Sequence, residues 1–266
     1  MGTVRVVTFN IWNRSGPWEE RLVAIRKSLG DLGADIVGLQ EVITTPDGDR
    51  LDQAASIADG LGYVFAFGAS HVSGYSFGNA VLSRWPIVQS QVFALPGLDT
   101  EERRSLLFAE IDAPVGRIPF FVTHLSWRLD EGYVREAQVQ AVVEHVARLA
   151  PRTGMPPILV GDFNAEPDSD EVRFLRGLKS LGGKSVYFAD CFGIVGEGRG
   201  PTFSKTNPFA APLREPERRI DYVFVRGPDE RQRGEPLAAR VCCDAPVNGV
   251  FPSDHFGVLA EIKMNE

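Results

Sequence analysis

Polar residues of the kinds that bind metal ions or move protons recur at the ends of short apolar runs in this sequence. The groups found in this position are Asn10, Glu41, His124, Asp162 with Asn164, Asp221, and Asp254 with His255. Carboxylate and amide oxygens suit hard divalent cations, and histidine exchanges a proton near neutral pH. If the apolar runs are strands that converge, their polar ends would share one pocket, where α/β architectures place their ligands. The pattern therefore predicts a site for metal-assisted or acid–base chemistry.

Each of these groups also has a structural interpretation when it is taken alone. Asn10 could cap the loop that follows it, and Glu41 could be a solvated loop carboxylate. Residues 161–164 could form an Asx turn, in which a side chain bonds to the backbone two residues on. Asp221 lies beside Arg218 and Arg219 in the sequence and could form a surface ion pair. These alternatives stay open for each residue by itself.

The histidines favour the functional interpretation. The sequence contains four, and two of them, His124 and His255, follow or precede apolar runs next to candidate metal ligands. His71 lies among glycine and serine residues and is expected in a loop. His145 falls within a helical pattern and is expected at the surface or boundary of that helix.

Alternating β-like runs and amphipathic stretches must position these residues. Apolar periodicity predicts strands at 4–11, 35–40, 63–67, 78–83, 88–95, 106–111, 118–125, 156–160, 220–225 and 258–262. The same analysis predicts helices at 20–32, 51–61, 133–150 and 171–180, and a long irregular segment at 193–219. Neighbouring strands with helices interspersed favour an α/β (α+β) fold of two packed sheets with helices outside. At 266 residues the chain fits a single domain covering residues 1–266.

Composition limits the classes of partner. The net charge is −7, so the chain lacks the basic surface that broad nucleic-acid binding needs, and nucleic acid is allowed but not favoured. The three cysteines cannot all pair and have no zinc-ligand spacing, which is typical of reduced structural thiols. No apolar run approaches a membrane span, and the first residues enter a strand pattern without a signal sequence. A cytoplasmic protein without membrane contact is expected; the oligomeric state is not readable.

Seven short motifs occur in a fixed order and reinforce one another. They are Thr8-Phe9-Asn10, Leu39-Gln40-Glu41, Gly78-Asn79-Ala80-Val81-Leu82-Ser83-Arg84, Thr123-His124-Leu125, Gly161-Asp162-Phe163-Asn164, Arg219-Ile220-Asp221-Tyr222 and Ser253-Asp254-His255. This set closely resembles the endonuclease/exonuclease/phosphatase family, the deoxyribonuclease I-like superfamily, from residue 3 to about residue 262. The resemblance implies a four-layer sandwich of two mixed sheets flanked by helices. It also implies cleavage of phosphoester bonds that depends on Mg²⁺, with Mn²⁺ as the alternative ion.

The resemblance assigns metal-binding roles to the acidic and amide residues. Glu41, with Asn10, resembles the family's principal metal ligands, and Asp254 is a further candidate ligand. Asp162 and Asn164 are candidates for a second or shared metal position. Alternatively, Asp162 aligns the attacking water while Asn164 orients it or contacts the phosphate.

Further roles fall to the histidines and to two arginines. His255 resembles the family's catalytic histidine and Asp221 its partner carboxylate, so the pair would act either as a general base or as a cation against the phosphate. His124 resembles the second histidine, a general acid or a hydrogen-bond donor to phosphate. Arg104 and Arg128 are candidate phosphate contacts, because guanidinium groups bind phosphate oxygens bidentately, although solvated surface arginines are an equal interpretation.

The function predicted from these residues is hydrolysis of a phosphodiester bond by in-line attack of water. The alternatives are a DNA or RNA endonuclease or exonuclease, a phosphomonoesterase, and an inactive metal-binding interaction module on the same fold. Retention of both histidines and Asp221 argues against the inactive module, which has no need of acid–base groups. The compact length favours a small soluble or nucleic-acid substrate.

Overall fold

The computed structural model describes residues 2–45, 52–73 and 75–265. Its strands are β1 (Thr3–Asn10), β2 (Ile36–Thr44), β3 (Val64–Ser73), β4 (Tyr75–Ser83), β5 (Ile87–Ala94), β6 (Ser105–Ala113), β7 (Gly116–His124), β8 (Ile158–Asp162), β9 (Ala189–Asp190), β10 (Asp221–Val225), β11 (Glu235–Cys242) and β12 (Gly257–Lys263). Its helices are α1 (Trp18–Leu32), α2 (Gln53–Ala58), α3 (Gly132–Leu149), α4 (Asp170–Leu175) and α5 (Cys191–Val195), with a 3₁₀ turn at Ala211–Leu213.

The strands form two sheets of six. The first has the order β11-β12-β1-β2-β4-β3, and the second has the order β5-β6-β7-β8-β10-β9. Each sheet contains one parallel pair, β1 with β2 and β7 with β8, among antiparallel neighbours. The prediction of two packed mixed sheets is therefore confirmed.

Three apolar clusters hold the layers together. A central cluster fills the space between the sheets with fully buried side chains such as Val6, Val122 and Val160. A second cluster packs α1 and α2 on the first sheet, and a third packs α3 and α4 on the second sheet. The sheets approach closely at Gly38, where a Cβ atom would lie 2.3 Å from Cγ2 of Val160. The result is the four-layer sandwich, in which inner strands such as β8 and β10 are buried on both faces, whereas the side chains of the edge strands β5 and β11 are mostly partly or fully exposed.

The strand pairings bring the polar strand ends to one edge of the sandwich. Asn10 lies opposite Gln40 in the parallel pair β1–β2, and His124 lies opposite Asp162 in the parallel pair β7–β8. Asp221 begins β10 directly opposite Asp162. Parallel strands end at the same edge, so chain direction alone gathers these residues.

Some element boundaries differ from the sequence-based predictions. The helix expected at 171–180 ends at Leu175, because Gly177 takes a left-handed backbone conformation with φ of 75°. The helix expected at 51–61 spans Gln53–Ala58, and Leu51 lies outside the described residues. Strand β11 was not predicted, since it is an edge strand whose side chains are mostly partly or fully exposed. The expectation that His71 lies in a loop is wrong, because β3 extends through it.

The remaining predictions about the chain's general character can be compared with the structure directly. All three cysteines are free and buried. Residues 193–219 are mostly irregular, as expected, apart from the last turn of α5 and the 3₁₀ turn. Among the described residues, no helix is both long and apolar enough to span a membrane.

Candidate active site

Asp162, the last residue of β8, lies at the centre of the site. Its Oδ2 atom is 3.0 Å from Nδ2 of Asn10, 3.5 Å from Nε2 of His124 and 3.7 Å from Nε2 of His255. These residues come from both sheets, and all four are buried. A single carboxylate oxygen therefore faces both predicted catalytic histidines.

His255 and Asp221 form a buried pair. Nδ1 of His255 lies 3.0 Å from Oδ2 of Asp221, within hydrogen-bonding distance. The backbone N–H of Asp221 donates to Oγ1 of Thr202 at 3.2 Å, which fixes the start of β10. The surface ion pair considered for Asp221 does not form, because Arg219 bonds instead to Asp190 through two contacts of 2.8 and 3.0 Å. The side chain of Asp221 therefore pairs with His255.

Glu41 reaches the site through an irregularity in β2. The pairing between β2 and β4 shifts between Leu39 and Val42, and Glu41 has a φ of 58°, which is uncommon for a residue with a side chain. Its carboxylate accepts hydrogen bonds from Nδ2 of Asn10 at 3.2 Å and from Nδ2 of Asn13 at 2.8 Å. A bulge re-aims a side chain at a sheet edge, and here it directs a carboxylate into the site.

Asp254 faces Glu41 from the turn before β12. Oγ of Ser253 donates to the backbone oxygen of Asn10 at 2.7 Å and lies 3.2 Å from Oδ1 of Asp254, which ties this turn to β1. Burial raises the pKa of Asp254 to about 6, and repulsion from Glu41 adds to the shift, whereas His255 opposes it. Two carboxylates that repel each other indicate a position where a cation would be stabilised.

The chemistry of this donor set fits a hard divalent cation. Glu41 and Asp254 carry carboxylate oxygens and Asn10 carries an amide oxygen, which are the kinds of ligand that Mg²⁺ takes. The nearby guanidinium of Arg21 is buried, and burial lowers its pKa to about 10, although the charges of Asp254 and Glu41 oppose the shift. This guanidinium donates a hydrogen bond to the backbone oxygen of Ile11 at 3.0 Å. A second arrangement also exists: Asp162, Asp221 and His255 have ligand atoms within 4.8 Å of one another and could hold an ion.

The environments of the two histidines shift their pKa values in opposite directions. Burial alone would lower the pKa of His255, but the carboxylates of Asp221 and Asp162 outweigh it and raise that pKa well above its usual value. Burial lowers the pKa of His124 well below its usual value, and the charges of Arg104 and His255 add to this shift. Near neutral pH the site therefore holds one imidazolium and one neutral imidazole.

Asp162 and Asn164 are linked through the backbone. Burial and repulsion from Asp221 raise the pKa of Asp162 to about 6, although His255 and hydrogen bonds oppose the shift. The backbone N–H of Asn164 donates to Oδ1 of Asp162 at 2.9 Å, as in the Asx turn considered from the sequence. The Asn164 side chain donates from Nδ2 to the backbone oxygen of Leu125 at 3.2 Å. The turn thus holds Asp162 Oδ2 toward the histidines.

A cavity of about 610 Å³ opens onto these groups. Trp12, Phe77, Trp127 and Phe203 form aromatic parts of its wall. Of the two arginines predicted to contact phosphate, Arg104 is buried and lines this cavity.

The other predicted phosphate contact, Arg128, does not reach this cavity. Its guanidinium lies over the exposed ring of Trp127 and 3.6 Å from Glu131, in a neighbouring surface cleft. Arg128 follows His124 closely in sequence, but the chain has left the strand by that point and turns toward α3.

Comparison with known proteins agrees with the geometry of the site. A model of the Endonuclease/Exonuclease/phosphatase family matches residues 7–255. The chain belongs to the endonuclease/exonuclease/phosphatase family. No curated protein sequence matches it significantly.

Solved structures show the same fold. An endonuclease/exonuclease/phosphatase from Beutenbergia cavernae DSM 12333 is 28% identical with a TM-score of 0.76, over 99% of this chain and 72% of that one. D. rerio TDP2 complexed with single strand DNA product is 19% identical with a TM-score of 0.78, over 99% and 100% of the two chains. The human Nocturnin catalytic domain with bound sulfate anion is 19% identical with a TM-score of 0.73, over 99% and 94%. At 19% identity the last two establish the fold alone.

Several supporting residues of this family member were not found from its sequence. Asn13 and Thr202 each hold one site residue by a hydrogen bond, and Oγ of Ser253 contacts Asn10, Asp254 and the backbone N–H of His255. Asn207 donates from Nδ2 to the backbone oxygen of Ser253 at 2.7 Å and so supports the turn that carries Asp254. Ser253 lies in a motif quoted from the sequence, and Thr202 and Asn13 lie next to the aromatic residues Phe203 and Trp12, but short polar loop residues carry no further signal of such a role.

Proposed function

We propose that this protein is a divalent-metal-dependent phosphoesterase that hydrolyses phosphodiester bonds by in-line attack of water. The observation that carries the proposal is the position of Asp162 Oδ2, which lies 3.0–3.7 Å from Asn10, His124 and His255, beside a cavity lined by both histidines and Asp162. A binding module would not need to bury a carboxylate, an imidazolium and a neutral imidazole together, because each is costly to desolvate. The proposal treats residues 1–266 as one cytoplasmic domain.

The charge of the cavity supports a requirement for a cation. Its wall carries more carboxylates than guanidinium groups, namely Glu41, Glu101, Glu102, Asp162, Glu215 and Asp254 against Arg103, Arg104 and Arg218. An anionic phosphoester would be repelled by this surface. Glu41, Asn10 and Asp254 would hold Mg²⁺, or Mn²⁺ as the alternative. Such an ion, when bound, neutralises phosphate charge and polarises the ester that is cleaved.

The remaining catalytic roles, which are activation of water and stabilisation of the phosphate, fall to side chains of the protein. Asp162, whose pKa of about 6 suits a base near neutral pH, accepts the proton of the attacking water at Oδ2. Asn164, which follows Asp162 by two residues in the same Asx turn, helps to orient that water. The imidazolium of His255, held by Asp221, stabilises negative charge on the phosphate and can supply a proton to the leaving oxygen. His124 is neutral, which favours hydrogen-bond donation to a phosphate oxygen over general acid catalysis.

A nucleic-acid substrate is the second candidate, and one observation favours it. The rings of Tyr75 and Trp127 at the cavity are 47% and 54% exposed, and exposed aromatic rings next to a phosphate site can stack on unpaired bases. One structural relative, TDP2, was solved with single strand DNA product. The net charge of −7 argues against an extended duplex as the substrate.

Hydrolysis of bis(p-nitrophenyl) phosphate tests the proposal. We expect turnover with Mg²⁺ or Mn²⁺, none in excess EDTA, and slower turnover of p-nitrophenyl phosphate if the diester is preferred. His255→Ala should lower kcat by about 10²–10⁴-fold without unfolding the protein, as removal of an acid–base group does. His145→Ala is the matched control, because His145 lies on α3 stacked against Phe93 and outside the cavity.

Three outcomes would contradict the proposal. Full activity in EDTA would exclude a metal-dependent reaction, and wild-type turnover by His255→Ala would remove the His–Asp pair from the mechanism. Absence of turnover on diester, monoester, DNA, RNA and lipid substrates would leave the inactive metal-binding module.

A further inference from the structure

Two buried arginines line the cavity, and only one of them, Arg104, is predicted from the sequence to contact phosphate. Arg104 and Arg218 are 7% and 5% exposed, and both contribute to the cavity wall. In each, the buried Nε–H has no hydrogen-bond acceptor. A buried donor without an acceptor is unfavourable, so both groups are expected to gain an acceptor when an anionic ligand enters.

Each arginine is already paired with one carboxylate on its own loop. Arg104 contacts Glu102, and Arg218 contacts Glu215. In both pairs the contact runs through Nη2, and the Nε–H donor is left without an acceptor. The carboxylate thus fixes the orientation of the guanidinium without using all of its donors. A held guanidinium loses little freedom on binding an oxyanion, which favours recognition of phosphate or carboxylate groups.

The two arginines enter the site from different directions. Arg104 directly precedes β6, and Arg218 precedes β10 by three residues. Strands β7 and β8, which carry His124 and Asp162, lie between them in the sheet. At the usual spacing of strands, β6 and β10 are about 14 Å apart. One arginine therefore approaches the site beside His124, and the other approaches it from beyond Asp162.

Arg218 is separated from the acid–base groups by an aromatic ring. Its guanidinium carbon lies 5.6 Å from the centre of the Phe203 ring, and that ring packs edge-on against His255 with centroids 5.0 Å apart. Backbone hydrogen bonds in both directions between Phe203 and Arg218, at 2.9 and 3.0 Å, fix this stack. Arg218 is therefore near the reacting centre but screened from Asp162, which does not suit contact with the phosphate that is cleaved.

We propose that Arg218 binds a second anionic group of the substrate, next to the phosphate that is cleaved. The pocket then selects phosphoesters that carry two anionic groups over those that carry one. This inference rests on the proposed function, since it names the substrate class of the same site. Arg218 is a specificity-determining residue, held in place by Phe203 and Glu215.

Dinucleotides with and without a terminal phosphate test this selection. The substrates are thymidylyl-thymidine and its derivatives with a 5′-terminal or a 3′-terminal phosphate. We expect the wild-type protein to prefer one of the two phosphorylated forms by about tenfold or more in kcat/KM, as a charge-assisted bidentate contact provides. Arg218→Met should abolish the preference through a higher KM and leave the unphosphorylated dinucleotide within about twofold.

Two further variants make the result specific. Arg199→Met removes an exposed arginine from the same irregular segment but outside this cavity, and it should keep the preference. Arg218→Lys keeps the charge without the planar fork, and it should keep part of the preference even if the methionine variant folds poorly. The melting temperature of each variant separates a loss of folding from a loss of recognition.

Binding provides a readout that does not depend on turnover. Thymidine 3′,5′-bisphosphate should bind the wild-type protein more tightly than thymidine 5′-monophosphate, as followed by fluorescence of Trp12 and Trp127, and Arg218→Met should remove that difference. The assignment is overturned if the wild-type protein shows no preference, or if Arg218→Met weakens all substrates equally. If no substrate is hydrolysed, the proposed function fails, and the bisphosphate comparison still decides the role of Arg218.

Discussion

The two sheets contribute chemically different halves to the site. The first sheet and the turn before β12 provide Asn10, Glu41 and Asp254, of which the two carboxylates carry only oxygen atoms and the amide of Asn10 donates from Nδ2 to Glu41. The second sheet provides His124 and Asp162, together with Asp221. We call these the oxygen half and the proton half. His255 follows Asp254 in the chain but pairs across the gap with Asp221.

The halves differ in how their charges are balanced. In the proton half, the carboxylates of Asp162 and Asp221 lie 3.0–3.7 Å from the ring of His255, whose pKa they raise, so its positive charge offsets part of theirs. In the oxygen half, Glu41 and Asp254 repel each other, and Arg21 opposes them only from a buried position on α1. The oxygen half is therefore the position that we propose for a cation from solution, and the cluster of Asp162, Asp221 and His255 in the proton half is the alternative position.

Removing a charge from the oxygen half should have the largest effect. Glu41→Gln keeps the shape of the side chain and deletes one negative charge, so we expect kcat/KM at fixed Mg²⁺ to fall by about 10³-fold. The Mg²⁺ concentration for half-maximal rate should rise at least tenfold, because ligand charge sets cation affinity. Wild-type protein should also be stabilised against heat by about 2.7 kcal/mol when Mg²⁺ is at 100 times its Kd, and this stabilisation should be lost in the variant.

The control for this variant is Glu20→Gln, which removes an exposed carboxylate from α1. It should change neither the rate nor the Mg²⁺ dependence. An unchanged Mg²⁺ requirement in Glu41→Gln would move the cation out of the oxygen half.

A variant of the proton half should show a smaller and different defect. Asp221→Asn removes the carboxylate that holds His255, and we expect kcat to fall by about 10²-fold, within the range for acid–base groups. The Mg²⁺ concentration for half-maximal rate should stay at its wild-type value. Steady-state kinetics over a Mg²⁺ titration measures both quantities. If the requirement for Mg²⁺ rises instead, the cluster of Asp162, Asp221 and His255 holds the cation.

Much of the proton half could be predicted from the sequence because its residues end buried strands. The apolar runs before His124 and Asp162 fix both the strand and the point where a polar side chain emerges. Parallel pairing of β7 and β8 then places the two ends side by side, opposite each other in register. Strand direction and hydrophobic pattern are local signals, and they were sufficient here.

Other parts of the site depend on features that sequence patterns do not carry. Glu41 reaches the cavity through a bulge with a positive φ angle, and the types of the neighbouring residues do not predict that irregularity. Arg104 and Arg128 have the same chemistry, and Arg128 is the closer of the two to His124 in the sequence, but only Arg104 is buried in the cavity wall. The role proposed for Arg218 depends on the stack with Phe203, which joins two ends of an irregular segment.

The smallest expected effect concerns stability in the proton half. Burial and nearby positive charge lower the pKa of His124 in the folded protein, so below pH 6.5 the unfolded chain binds more protons at this residue than the folded one. His124 therefore makes the folded state less stable as the pH falls through that range. Replacing it by Asn removes this contribution.

Between pH 7.5 and 5.5, the free energy of unfolding should therefore fall less in His124→Asn than in the wild type. The difference is at most about 1.4 kcal/mol, the free energy by which protonation stabilises an unfolded histidine one unit below its ordinary pKa. Urea unfolding at the two pH values measures it, with His71→Asn as the exposed control. Equal pH dependence in all three proteins would mean that His124 is protonated in the folded state, and the division into one imidazolium and one neutral imidazole would be lost.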